Sequence, residues 1–249
     1  MVKILMHGCN GKMGQVITHL CDGDDSVKIV AGIDVLDNVS NPYPVITNID
    51  DCNIDADVVI DFSSSKATDK LLDYCVRKNL PVVLCTTGLS EEQLNRVKET
   101  SSKIAILKSA NMSLGINLLI KELKNLSKTL VPAGFDIEIV EKHHNQKVDA
   151  PSGTALALAD AAGEGLNYDY VYDRTKERKK RTGHEIGISA VRGGSIVGEH
   201  EVIYAGNDEV ITITHTAYSK SLFANGAIQA AKFLAGKAPG MYDMSDVIG

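Results

Sequence analysis

Apolar and polar positions follow two rhythms along this chain, and the change from one to the other divides it. In the first part, short apolar runs at residues 2–6, 27–33, 58–62, 82–85 and 104–107 have the length and β-branched content of buried strands. Between them lie stretches with helical spacing: Val16, Ile17 and Leu20 after the first run, then residues 66–78 and 91–100. Strands that alternate with helices predict a parallel sheet covered on both faces.

The second rhythm begins near residue 116. Apolar side chains recur at 116, 119, 120, 123, 126 and 130, the stripe of an amphipathic helix that Pro132 and Gly134 stop. From 137 to 143 apolar and polar residues alternate with the period of a strand. Runs at 186–191, 196–204 and 210–216 follow in close succession, with Gly193-Gly194 and Gly206-Asn207 as turns. That pattern predicts an α+β part with antiparallel pairing and an open sheet face, a natural subunit contact. Residues 222–234 return to helical spacing and end at Gly236 and Pro239.

Charge and composition narrow the function classes. A formal net charge of -6 over 249 residues gives no reason to expect nucleic acid or an anionic membrane as partner. No apolar run approaches the ~20 residues needed to span a bilayer, and the first residues lack the apolar core of a signal peptide, so the chain reads as cytoplasmic. Five cysteines, at 9, 21, 52, 75 and 85, are odd in number and form no C-x-x-C pair. This argues against a disulfide framework and a zinc site, and no metal is expected.

Candidate chemistry appears first where residues 2–6 run into Gly8-Cys9-Asn10-Gly11-Lys12-Met13-Gly14 and then into a helix. A dinucleotide loop needs glycine at its first turn, where the pyrophosphate approaches, and where the helix packs on the strand. Here Asn10 holds the middle place, and asparagine tolerates positive φ. The next strand ends at Asp34, 20 residues after Gly14, where a carboxylate meets the adenosine ribose hydroxyls of NADH. Asp34 would repel the 2′-phosphate of NADPH, although Lys12 could reach that phosphate, so NADH is preferred and NADPH stays open. Ligands on such sheets bind beyond the carboxyl ends of the strands, where Asp61-Phe62-Ser63, Cys85-Thr86-Thr87-Gly88 and Ser109-Ala110-Asn111-Met112 fall. The expected fold class is α/β, an N-terminal Rossmann-like parallel sheet plus a C-terminal α+β domain with an open mixed or antiparallel sheet. Residues 1–109 with 217–249 would bind the dinucleotide, and 110–216 the substrate.

The densest chemistry lies between residues 138 and 155, EIVEKHHNQKVDAPSGTA. On a regular strand Ile137, Ile139, Glu141 and His143 share one face, while Glu138, Val140, Lys142 and His144 share the other. For His143 and His144 to line one pocket, the strand must end near His143 and the chain must turn. Downstream, Ser152 can cap a helix running toward Gly163, and N–H groups left free around Gly153 and Thr154 would make a site for a carboxylate or phosphate. Six basic residues between Arg174 and Arg181 suggest either a solvated loop or one that closes over a dicarboxylate. His184, His200 and His215 are scattered through strands and receive no role.

The run Glu138-x-x-Glu141-x-His143-His144-x-x-Lys147-x-Asp149-x-Pro151-Ser152-Gly153-Thr154-Ala155 resembles the signature of the 4-hydroxy-tetrahydrodipicolinate reductases (dihydrodipicolinate reductases) of lysine and diaminopimelate biosynthesis. The closing Gly240-Met241-Tyr242-Asp243-Met244-x-Asp246-Val247 is similar to that family's terminus. The resemblance implies an oxidoreductase that delivers hydride from NAD(P)H to a cyclic imine dicarboxylate. It implies His143 as proton donor and Lys147 as its assistant and a carboxylate anchor. His144, Ser152, Gly153 and Thr154 would hold the substrate. Phe62, Cys85, Thr86, Thr87, Ser109, Ala110, Asn111 and Met112 would line the nicotinamide half of the cofactor, with Lys220 as a basic residue nearby. Many family members carry glycine where this chain has Cys85. A homotetramer built on the open sheet is implied as well. Two other classes share parts of the pattern: a two-domain oxidoreductase acting on a sugar or an aldehyde, and an NADH-binding sensor without turnover.

Overall fold

A computed structural model describes every residue of the chain except Asp173, Lys176 and Glu177. The chain opens with β1 (Val2–His7), α1 (Lys12–Asp22), β2 (Val27–Ile33), β3 (Val45–Ile46), β4 (Val58–Asp61), α2 (Ser65–Lys78), β5 (Val82–Leu84), α3 (Glu91–Thr100) and β6 (Ala105–Leu107). It continues through α4 (Leu114–Leu130), β7 (Asp136–His143), α5 (Gly153–Ala162), β8 (Asp169–Val171), β9 (Glu185–Arg192), β10 (Gly198–Ala205) and β11 (Val210–Ala217). It closes with α6 (Ser221–Leu234), β12 (Gly240–Tyr242) and α7 (Met244–Ile248). These elements form two compact units, Met1–Leu114 with Ser221–Gly249, and Gly115–Lys220. Met112 belongs to the first unit because its side chain packs in that core, and β11 carries the second unit on to residue 217.

In the first unit seven strands pair in parallel in the order β12-β6-β5-β4-β1-β2-β3. Side chains alternate along each strand, so Ile4, Met6 and Ile60 enter one core with Ala227 and Leu234 of α6. Leu5 and Val59 enter the other with Leu71 and Leu72 of α2. Burial on both faces is why these strands read as unbroken apolar runs. The strand order reverses at β1, between β4 and β2, which opens a crevice at their carboxyl ends. Gly8 begins the turn there with φ of +80°, and a β-carbon on it would strike the Phe62 carbonyl.

In the second unit five strands run in the order β11-β10-β7-β9-β8. β7 pairs antiparallel with β10 and parallel with β9, and β10 pairs antiparallel with β11. The expected pairing of β9 with β10 across Gly193-Gly194 therefore does not occur, because β7 takes the place between them. Burial decides this: Ile137 and Ile139 of β7 are 0% and 1% exposed, and a central strand with two neighbours protects them best. The Gly193-Gly194 turn bonds the end of β7 instead, with the Gly193 N–H 2.9 Å from the His143 carbonyl and the Asn145 N–H 3.2 Å from the Gly194 carbonyl. Leu123 of α4 and Ala155, Leu158 and Ala162 of α5 cover one face of the sheet, over Ile137, Ile139, Ile186 and Val202. On the opposite face the Lys142 ammonium lies 2.5 Å from Glu199 and 2.7 Å from Glu201, and Val191 and Val210 are exposed.

Candidate active site

Two places concentrate the chemistry, one in each unit. In the first, a cavity of about 540 Å³ lies at the carboxyl ends of β1, β2 and β4, lined by Gly8, Asn10, Gly11, Asp34, Phe62 and His7 among others. Asp34 is held at its rim by backbone donors on both oxygens, Asn10 N–H at 2.9 Å and Val35 N–H at 2.8 Å. The Asn10 side chain reaches the Leu36 carbonyl and accepts a bond from Asn41 at 2.8 Å. The loop is thus tied to the end of β2. Gly11 caps α1 without a side-chain bond, and Lys12 beside it is exposed. Cys9, Met13 and Gly14 lie away from the cavity lining, and a β-carbon on Gly14 would run into the Gly8 carbonyl.

Beside this cavity lies a buried network that sequence reasoning missed. Asp61 is fully buried and accepts from the Thr86 hydroxyl at 2.6 Å and the Ser63 N–H at 3.2 Å, and its carboxylate stands 2.7 Å from Nδ1 of His7. His7 was visible only as the one polar residue closing an apolar strand ahead of the glycines. Thr86 therefore serves Asp61 with its hydroxyl, while Thr87 is exposed. Burial and the Asp34 carboxylate push the Cys9 thiol up to about 11, and burial with Asp61 raises that of Cys85, so neither is a ready nucleophile. Ser109 Oγ donates to the Asn111 carbonyl at 3.1 Å, Ala110 is exposed, and the Met112 side chain is 5% exposed within the core. Lys220, exposed, is the last residue of the second unit.

The second place is the end of β7. Strand geometry stops at His143, and the Lys147 N–H bonds back to the His144 carbonyl at 3.1 Å, so the chain turns where the histidine pair requires it. Glu141 and His143 point to the buried face; Glu141 is 0% exposed and its Oε2 lies 2.5 Å from His143 Nδ1. Arg192, the register partner of His143 on β9, clamps both Glu141 oxygens, Nη1 at 2.8 Å and Nη2 at 2.7 Å. Burial alone would raise the Glu141 carboxyl, but Arg192, His143 and the Ser152 N–H together hold it below its ordinary range. That Ser152 N–H donates to Oε1 at 3.0 Å, while Ser152 Oγ caps α5 by accepting from the Ala155 N–H at 3.2 Å.

His200, paired across the sheet with Glu141, is part of the same cluster. Its Nε2 is 3.1 Å from Ser152 Oγ, and its ring meets that of His143 edge to face at 5.1 Å. Burial, reinforced by His143, lowers it to about 4, so it is neutral at pH 7. Neither Arg192 nor His200 carries a local signal, since each reaches the site through sheet register.

The start of α5 has an acidic neighbour in Asp149. The Asp149 carboxylate sits 2.8 Å from Lys147 Nζ and close to the Gly153 backbone, whose N–H helps to hold it ionised. Asp149 is close enough in sequence to fold back over the helix start, where an anion is favoured. The Lys147 ammonium holds the Asp149 carboxyl below its usual range. His144 lies half-buried just beyond the strand. The described part of the basic run lies elsewhere: Arg174 bonds Glu138 and Glu185 at 2.5 and 2.6 Å, and Arg181 bonds Asp136 at 2.6 Å, all toward the opening of β7. Lys176 falls outside the described residues. Among the described residues, no group of three His, Cys, Asp or Glu side chains could hold a metal ion, and no helix is long and apolar enough to cross a membrane.

A parallel sheet with a glycine loop and an acidic residue closing β2, in a chain that also builds a buried Glu-His-Arg cluster, defines a two-unit α/β oxidoreductase by class. Wider structural likenesses agree with that fold: a probable dehydrogenase from Thermotoga maritima superposes with a TM-score of 0.64 at 12% identity, covering 99% of this chain and 92% of that one. The chain belongs to the dihydrodipicolinate reductase family, whose N-terminal model matches residues 2–112 and whose C-terminal model matches residues 115–248. It is 52% identical over 246 residues to the 4-hydroxy-tetrahydrodipicolinate reductase of Clostridium tetani, covering 98% of this chain and 96% of that one. Identity to that of Caldanaerobacter subterraneus subsp. tengcongensis is 51% over 250 residues, covering 100% and 98%. The dipicolinate-bound dihydrodipicolinate reductase from Paenisporosarcina sp. TG-14 has the same fold, with a TM-score of 0.82 at 24% identity and full coverage of both chains.

Proposed function

We propose that this chain reduces 4-hydroxy-tetrahydrodipicolinate to tetrahydrodipicolinate in the diaminopimelate route to lysine, with NAD(P)H as reductant. The observation that carries this is the match of both family models end to end, together with half identity to full-length reductases of that name. The residues present fit a dinucleotide. Gly8 leaves room against the Phe62 backbone where a β-carbon would not, and Asp34 stands fixed at the rim of a cavity large enough for a nucleoside. Gly8 to Gly14, Phe62, the segments Cys85 to Thr87 and Ser109 to Met112, and Lys220 are assigned to the cofactor. Asp34 favours NADH, because it would accept from ribose hydroxyls and repel a 2′-phosphate.

When bound, the nucleotide would supply the hydride that ring carbon four accepts after loss of the hydroxyl as water, and the enamine so formed would need one proton. His143 gives that proton, since imidazole exchanges protons near neutral pH. Lys147 sets a positive charge against a substrate carboxylate and assists the proton step, while His144, Ser152 and the Gly153 and Thr154 backbone hold the dicarboxylate. A carboxylate arriving there must compete with Asp149 for Lys147. The open face of the second sheet, with Val191 and Val210 exposed, is assigned to contact between copies in a cytoplasmic homotetramer. Sedimentation equilibrium should read four protomers, and a monomer would remove that part.

The test is absorbance at the nicotinamide band with freshly generated substrate. Steady loss of NADH dependent on that substrate is the expected result. Tight NADH binding with no loss would leave a sensor rather than an enzyme.

A further inference from the structure

One carboxylate ties together three segments that sequence distance keeps apart. Glu141 receives Nδ1 of His143 at the end of β7, both terminal nitrogens of Arg192 on β9, and the Ser152 N–H at the start of α5. Arg192 extends the tie, since its Nη2 also donates to the Asp149 carbonyl at 2.6 Å. The turn from 144 to 152 is therefore pinned at both ends by a single ion pair whose carboxylate is fully buried. An ionised carboxylate only accepts hydrogen bonds, so the proton between Glu141 and His143 belongs to Nδ1. That leaves Nε2 as the edge of the ring able to exchange a proton. The space beside Nε2 is kept by Gly198, where an added β-carbon would stand 3.1 Å from it.

We propose that Glu141, clamped by Arg192, is a positioning residue that fixes His143 as the Nδ1–H form with Nε2 presented for proton transfer. The inference rests on the reading of His143 as proton donor. A buried carboxylate against Nδ1 sets the tautomer and the angle of the ring, and both must be right for a proton to pass at Nε2. The same carboxylate holds the Ser152 amide, so ring and helix start keep their spacing. A carboxylate serving only to neutralise Arg192 would have no need of the 2.5 Å contact to Nδ1.

The deciding experiment is a double-mutant cycle in the full-length enzyme, using Glu141→Gln, His143→Gln and the pair. Each single change should lower kcat by roughly 10²-fold, the lower end of general acid catalysis, with NADH affinity unchanged within twofold. The pair should be no slower than His143→Gln alone, because Glu141 acts through that ring. A pair whose loss is the product of the two singles would overturn the proposal while leaving His143 in its role. A His143→Gln enzyme with normal kcat would instead remove the proton-donor reading beneath it. Should Glu141→Gln fail to fold, the wild-type protein still decides. With ¹⁵N-labelled histidine, assigned by the His143→Gln spectrum, His143 should show a protonated Nδ1 with a strongly deshielded proton. A neutral Nε2–H form in the wild type would refute it.

Discussion

The crevice at β1 and the cluster at the end of β7 are built by opposite means. The crevice is largely backbone: a glycine turn at positive φ and amide donors fixing Asp34. The β7 cluster is side chains that charge one another, with Glu141, His143, Arg192 and His200 drawn from three strands. Backbone donors cannot titrate, so pH should touch that part of the crevice little. A cluster of buried ionisable groups has no such protection, because altering one member changes the solvation balance of the rest.

Three measurements sharpen or break that contrast. The largest effect should come from acid. His200 titrates near 4 in the folded chain against an ordinary 6.5, so between those values the unfolded chain binds more protons. Stability contributed by neutral His200 is complete above 6.5 and is lost as pH falls toward 4, on the order of 3 kcal/mol in total. Urea midpoints of wild type and His200→Gln should therefore converge as pH drops; parallel curves would show that His200 charges freely in the fold.

Next comes Lys147→Ala, which should lower kcat/KM for the dicarboxylate by about 10²-fold with NADH affinity intact. Normal kinetics would take Lys147 out of the site. The smallest effect is expected in the crevice, where Asp34 is one charge beside backbone donors. Replacing Asp34 by serine should raise the NADPH to NADH ratio of kcat/KM by about tenfold, or ~1.4 kcal/mol. An unchanged ratio would mean that the backbone alone reads the nucleotide.

Legibility in the sequence follows the same division. The glycine loop, Asp34 and the parallel βα order could be read because each depends on neighbours a few positions away. Glu141 and His143 on one face followed from strand period, and Ser152 as a cap from its place before α5. The two- or three-residue strands β3, β8 and β12 are too short for any period to show. The hairpin expected from β9 and β10 failed because turn residues specify a bend, not which strand lies beside it. Asp149 drew no role beyond its place in the run, although the fold sets its carboxylate 2.8 Å from Lys147.

By itself, then, the amino-acid order determined the alternation of elements, the change of rhythm near residue 116 and the residue types gathered at the end of β7. These follow from local sterics and from which side chains avoid water. Tertiary structure alone decided that β7 lies at the centre of its sheet, and with that choice brought Arg192 and His200 to Glu141 and His143. The register of distant strands depends on the burial of the whole sheet at once, a sum that no short window of sequence contains.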